Sequence, residues 1–159
     1  MAKKTKQTKT LPIYILNGPN LNLLGVREPE VYGYTTLAQI KEMCGTQAAS
    51  HGLSIVFRQS NREGEIVDHL QEARTAGSAV IINPAGYGHT SIAILDSIQA
   101  CGLPVIEVHL SNIHRREPYR NHSYVSKGAT GIIMGLGAQG YVRAVDAVAQ
   151  ILSAKGKKK

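Results

Sequence analysis

Arg27 and Tyr32 stand five residues apart in a Gly- and Pro-constrained polar run, Ile15-Leu-Asn-Gly-Pro-Asn-Leu-Asn-Leu-Leu-Gly-Val-Arg-Glu-Pro-Glu-Val-Tyr-Gly33, which opens where a strand ends at Asn17. A guanidinium held beside a phenol favours the phenolate and lowers its pKa. A phenolate near neutral pH is a usable general base. Asn20 shares the loop. Position in a loop equally fits a tyrosine that packs and an arginine that pairs with Glu28 or Glu30, so the weight of the reading falls on the other segments.

Two of them carry chemistry. Ile81-Ile-Asn-Pro-Ala-Gly-Tyr-Gly-His-Thr-Ser91 places Asn83 at the exit of a strand and His89 just before a helix start capped by Thr90 or Ser91. Both side chains are expected to face a cleft, against the plainer readings of an Asn-Pro turn and a histidine that only bonds a helix end. Val105-Ile-Glu-Val-His-Leu-Ser-Asn-Ile-His-Arg-Arg-Glu-Pro-Tyr-Arg120 sets Glu107 and His109 on one face of a strand by the two-residue period. A carboxylate beside an imidazole fixes its tautomer or raises its pKa, which makes His109 a general acid. The turn at Leu110 and Ser111, with Arg120, offers backbone N–H groups and a guanidinium to a carboxylate.

The elements that must hold these residues follow from the apolar pattern. Short continuous runs at Ile13 to Leu16, Leu53 to Phe57, Ala79 to Ile82, Val105 to Val108 and Gly131 to Met134 predict strands buried on both faces. Helical periods separate them: Leu37, Ile40, Cys44 and Ala48; Ile66, Leu70 and Ala73; Ile92, Leu95 and Ile98; Val142, Val145, Val148 and Leu152. Ser60 and Glu63 have the spacing of a capping box. The alternation predicts an α/β fold, a three-layer doubly wound five-stranded parallel sheet in the flavodoxin-like order. Ligands of such sheets sit outside the strands' carboxyl ends, where this chain concentrates its polar residues.

Charge and absences narrow the chemistry. The net charge is +7, but Lys3, Lys4, Lys6 and Lys9 precede the first strand and Lys155, Lys157, Lys158 and Lys159 end the chain. The body between Leu11 and Ala154 carries ten basic and eleven acidic side chains. Residues 1–10 and 155–159 are thus expected to be solvated basic tails on a single catalytic domain at 11–154, with no specific nucleic-acid binding. Cys44 and Cys101 read as buried hydrophobes, and no apolar stretch has membrane-spanning length or the form of a signal peptide, so a reducing cytoplasm is expected. No phosphate loop and no H-E-x-x-H occur, the cleft has few carboxylates for a metal, and Lys41 and Lys127 fall away from it, which leaves a Schiff base without its nucleophile. Gly135-Leu-Gly-Ala-Gln-Gly140 matches G-x-G-x-x-G, but no strand follows to supply the acidic residue expected about 20 residues on. Its glycines read as tight strand-to-helix packing. What remains is a phenol, an imidazole, an arginine and amides around an anion site, suited to proton abstraction beside a carbonyl and acid-assisted loss of a leaving group.

These residues resemble those of the type II 3-dehydroquinases. The resemblance rests on the N-G-P-N-L-N-L-L-G-x-R-E-P-x-x-Y-G loop, Gln59-Ser-Asn-x-Glu-Gly-Glu, Ile82-Asn-Pro-x-x-x-x-His-Thr-Ser, Glu107-Val-His-x-Ser-Asn-x-His-x-Arg-Glu-x-Tyr-Arg-x-His-Ser and Gly135-x-Gly-x-Gln-Gly-Tyr141. It implies anti elimination of water from 3-dehydroquinate to give 3-dehydroshikimate, in aromatic biosynthesis or quinate breakdown. Tyr32 would accept the C2 proton, Arg27 would lower its pKa, Asn20 would orient a water on the enolate oxygen, and His109 would protonate the departing C1 hydroxyl. Asn83, His89, Leu110, Ser111 and Arg120 match substrate-binding positions, and Asp96 matches a residue that reaches a neighbouring subunit's site. The family implies a dodecamer, a tetramer of trimers, with no cofactor, no metal and a lid around Arg27 and Tyr32. The competing expectations are a different small α/β enzyme acting on another carboxylate, and a flavodoxin-like binding or receiver module. The second lacks an acidic pair after the first strand and has only Phe57 and no tryptophan to stack a flavin.

Overall fold

The computed structural model describes residues 10–156; the lysines at 3, 4, 6, 9 and 157–159 lie outside the described residues. The elements run β1 (Ile13–Asn17), α1 (Pro29–Tyr32), α2 (Leu37–Ser50), β2 (Ile55–Gln59), α3 (Glu63–Ala76), β3 (Ala79–Asn83), α4 (Ile92–Cys101), β4 (Val105–His109), β5 (Gly131–Met134) and α5 (Gln139–Gly156). All pairings are parallel and the order is β2-β1-β3-β4-β5, the doubly wound order expected. β1 and β3 are in register so that Asn17 lies opposite Asn83, and on its other side opposite Gln59.

Continuous apolar runs bury both faces only in the interior of the sheet. Every residue of β1, β3 and β4 is buried, whereas the edge strands β2 and β5 are mostly half-buried. The two-residue period divides the core into two layers. Ile13, Ile15 and Ile81 pack with α2 and α5, while Tyr14, Leu16, Val80 and Ile82 pack with α3 and α4. Leu53 is not in a strand, because its N–H bonds Ala48 O at 2.9 Å and closes the end of α2.

Helix starts are fixed by local polar chemistry. The Ser60–Glu63 capping box does not form: Ser60 accepts from Arg62 N–H at 2.9 Å and donates to the Glu65 carboxylate, since Ser60 lies two residues ahead of the cap at Arg62. The reciprocal box stands instead at α2, between Thr36 and Gln39. Ser91 caps α4 by accepting from Ile94 N–H at 2.9 Å. α5 runs to Gly156, so Lys155 belongs to its last turn rather than to a tail beginning at 155. Among the described residues no helix is long and apolar enough to cross a membrane.

Candidate active site

The loops that leave β1 and β3 are pressed together at the switch point. Gly18 N–H bonds Asn83 O at 2.8 Å, and a Cβ on Gly18 would lie 2.3 Å from Pro84 O, so this approach requires glycine. Beyond it opens a cavity at the carboxyl ends of the strands. Its wall takes Asn20, Arg27 and Tyr32 from the β1 side, Asn83 and His89 from the β3 side, and His109, Leu110, Ser111, Arg116 and Arg120 from the β4 side. Nine of the ten residues expected at the site therefore converge, across about 100 positions of sequence. The tenth, Asp96, is exposed on α4 and does not line this cavity.

Tyr32 closes the four-residue helix α1, whose Pro29 occupies the first turn. Arg27 lies over the Tyr32 ring, 5.5 Å from its centroid, and also pairs with Glu28 at 3.1 Å, so the two readings of its role coexist. The phenol oxygen itself is bonded by another residue: Arg116 Nη1 donates to Tyr32 Oη at 2.9 Å. Sequence reasoning assigned Arg116 no role. Its only mark was a place in the Glu107 to Ser123 motif, and the short 3₁₀ turn Ile113–Arg115 separates it from its twin, leaving Arg115 exposed and Arg116 half-buried.

His109 ends β4 with its Nε2 donating to Glu107 Oε1 at 2.6 Å. Glu107 is fully buried and also accepts from Ser123 Oγ at 2.5 Å and from Ser126 Oγ. Burial opposes its ionised form, but the bonds from His109, Ser123 and Ser126 outweigh it and hold the carboxyl below the ordinary carboxylate range. With Nε2–H bonded to a buried carboxylate, the ring orientation is fixed and Nδ1 is the nitrogen left to exchange a proton.

His89 is bonded reciprocally with His122: its Nδ1 donates to His122 O at 2.7 Å, and His122 Nε2 donates to His89 O at 2.9 Å. Burial lowers the His89 pKa, so its Nε2 keeps a lone pair and is an acceptor for a hydroxyl. Arg120 lies 3.1 Å from Glu117 through Nε, yet that buried N–H has no hydrogen-bond partner among the described residues. A guanidinium on the cavity wall beside the Leu110–Ser111 turn fits an anionic ligand. Asn20 adopts φ 67° and its N–H bonds Asn61 Oδ1 at 2.9 Å. The other non-glycine residues with positive φ are Glu28, next to Arg27, and Ala85, on the cavity wall, so the backbone strain among the described residues gathers at this site.

The comparisons with known proteins agree with this fold. The family described as Dehydroquinase class II matches residues 11–149. A 3-dehydroquinate dehydratase of Streptomyces coelicolor is 58% identical over 144 residues, covering 90% of this chain and 92% of its own. One of Phenylobacterium zucineum is 59% identical over 138 residues, covering 87% and 95%. Among solved structures, the type II dehydroquinase of Propionibacterium acnes superposes with a TM-score of 0.85 at 40% identity, covering 89% of this chain and 97% of that one. That of Butyrivibrio crossotus gives 0.85 at 37% identity, with 87% and 97% covered. With the family pattern running through both the strands that build the cleft and the loops that line it, the chain belongs to the class II dehydroquinases.

Proposed function

We propose that the cavity dehydrates 3-dehydroquinate to 3-dehydroshikimate by anti elimination through an enolate. The activity rests on the family and on the relatives that bear its name. The reading of the mechanism rests on one observation: a phenol bonded by a guanidinium and an imidazole bonded to a buried carboxylate line the same cavity.

Tyr32, as phenolate, takes a proton from C2, and the C–H pair moves toward the C3 carbonyl oxygen to give the enolate. Arg116 and Arg27 supply positive charge where the phenolate carries negative charge, and Asn20 orients a water on the enolate oxygen. The enolate pair then forms the C1–C2 double bond while the C1–O bond breaks, and His109 gives its proton to the departing hydroxyl. One proton enters Tyr32, one leaves His109, and exchange with solvent resets both. Glu107 holds the imidazole that makes the donation in place through Nε2. Arg120 with the Leu110–Ser111 turn receives the substrate carboxylate, His89 accepts from a ring hydroxyl, and Asn83 donates from its amide.

The exposure of Asp96 suits a residue that serves a neighbouring copy, in a dodecamer built as a tetramer of trimers acting in the cytoplasm. Asp96→Ala is expected to weaken substrate binding in the intact assembly; equal affinity there removes the shared site. The reaction itself is tested by ultraviolet absorbance after mixing metal-stripped protein with 3-dehydroquinate, with a second sample pretreated with borohydride. A rise from the product's conjugated enone in both samples is expected. No rise in folded, assembled protein would mean that the cavity acts on another carboxylated carbonyl compound.

A further inference from the structure

The G-x-G-x-Q-G-Y segment that opens α5 has no place in the chemistry above, yet it reaches the site from beneath. Gly135, at φ 85°, donates its N–H to His109 O at 3.2 Å, and Gly137 donates to Leu110 O at 3.0 Å. Tyr141, in the first turn of α5, is fully buried and passes under the carboxyl ends of β1 and β3. Its Oη donates to Asn17 Oδ1 at 2.7 Å and accepts from Asn83 Nδ2 at 2.9 Å.

The direction of this chain of bonds is determined at its far end. Asn17 Nδ2 donates to Arg58 O at 2.9 Å, a backbone carbonyl that can only accept. Asn17 must therefore turn Oδ1 toward Tyr141, the phenol must donate there, and its oxygen is left to accept from Asn83. At the near end Asn83 Oδ1 accepts from Ala85 N–H at 3.1 Å, which demands the same sense of the amide. A flipped Asn83 would set donor against donor at Ala85. Burial pushes the Tyr141 phenol up, so it keeps the proton this order needs.

From this we infer that Tyr141 is a positioning residue for substrate binding: together with Ala85 N–H it holds the Asn83 amide in the sense that leaves one Nδ2 hydrogen for the cavity. The assignment rests on Asn83 as a substrate-binding residue. Tyr141→Phe is expected to raise KM for 3-dehydroquinate about tenfold, the effect of one misdirected buried bond, with kcat changed less than about threefold. In an Asn83→Ala background, itself raised in KM, the same substitution is expected to add less than about twofold, because the bond it acts through is already gone.

A Tyr141→Phe effect on KM that is equally large in both backgrounds, or a fall in kcat alone, overturns the role. If Asn83→Ala leaves KM unchanged, the substrate-binding reading of Asn83 fails, and the positioning role fails with it. Should Tyr141→Phe not fold, Asn17→Ala keeps the phenol but frees its O–H; a rise of about threefold in KM is then expected, and no rise overturns the inference.

Discussion

The two sides of the cavity are built to different standards. On the β4 side, His109 and Glu107 are buried, and the carboxylate holds bonds from one imidazole and two hydroxyls. On the β1 side, Tyr32 stands on a four-residue helix flanked by Val26 and Tyr34, 82% and 78% exposed, with Arg27 and Glu28 paired at the surface. The proposed acid is therefore held by a buried pair, while the proposed base sits on a short segment flanked by exposed side chains. In the proposed mechanism the fixed side suits a proton donor and the exposed side suits a lid.

The largest effect is expected at Tyr32. Tyr32→Phe is expected to lower kcat by roughly 10²-fold or more with the melting temperature unchanged, as loss of a general base on an exposed segment should. Near-native turnover would remove the phenol from the mechanism. Arg116→Ala removes a charge-assisted hydrogen bond worth about 1.5–3 kcal/mol, so kcat/KM is expected to fall by roughly 10- to 100-fold. An effect below threefold would return the phenol to the care of Arg27 alone.

On the other side the expected effect is on stability as well as rate. Glu107 is held below its ordinary value of 4.5, so the folded state binds its proton less readily than the unfolded chain. Its contribution is complete above that ordinary value and is lost as pH falls through the lower, folded value. Denaturant unfolding across pH 3–6 is expected to show a shallower acid decline in Glu107→Gln than in the parent, together with lower kcat. Parallel curves would show that the carboxyl does not titrate between the two states. The smallest effect belongs to α1: Pro29→Ala is expected to loosen it at a cost of about 0.4–1 kcal/mol, or about 2- to 5-fold in kcat/KM, with no change in melting temperature. A lowered melting temperature with unchanged kcat/KM would place α1 in the cooperative core instead.

The comparison also separates what was legible in one dimension from what was not. Strand and helix periods, the strand order that follows from βα alternation, and the emergence of Asn17, Asn83 and His109 at strand ends were all present in the residues themselves, because burial of apolar runs and the two-residue period act locally. The Glu107–His109 pair was legible for the same reason, being two residues apart on one strand. Sequence reasoning failed where several groups compete for one partner: Ser60 bonds Arg62 and Glu65 rather than Glu63, and both Arg27 and Arg116 approach one phenol.

The amino-acid order thus carried the sheet, its two apolar layers, the family pattern and nine of the residues on the cavity wall. Only the tertiary structure decided that Arg116, 84 positions from Tyr32, bonds the phenol, and that Tyr141, 58 positions from Asn83, holds its amide from below. Periodicity and caps are set by neighbours along the chain and leave a trace there. A hydrogen bond between distant side chains is set by how packed layers bring loop and helix ends together, and its donor is chosen only when every competing group is in place.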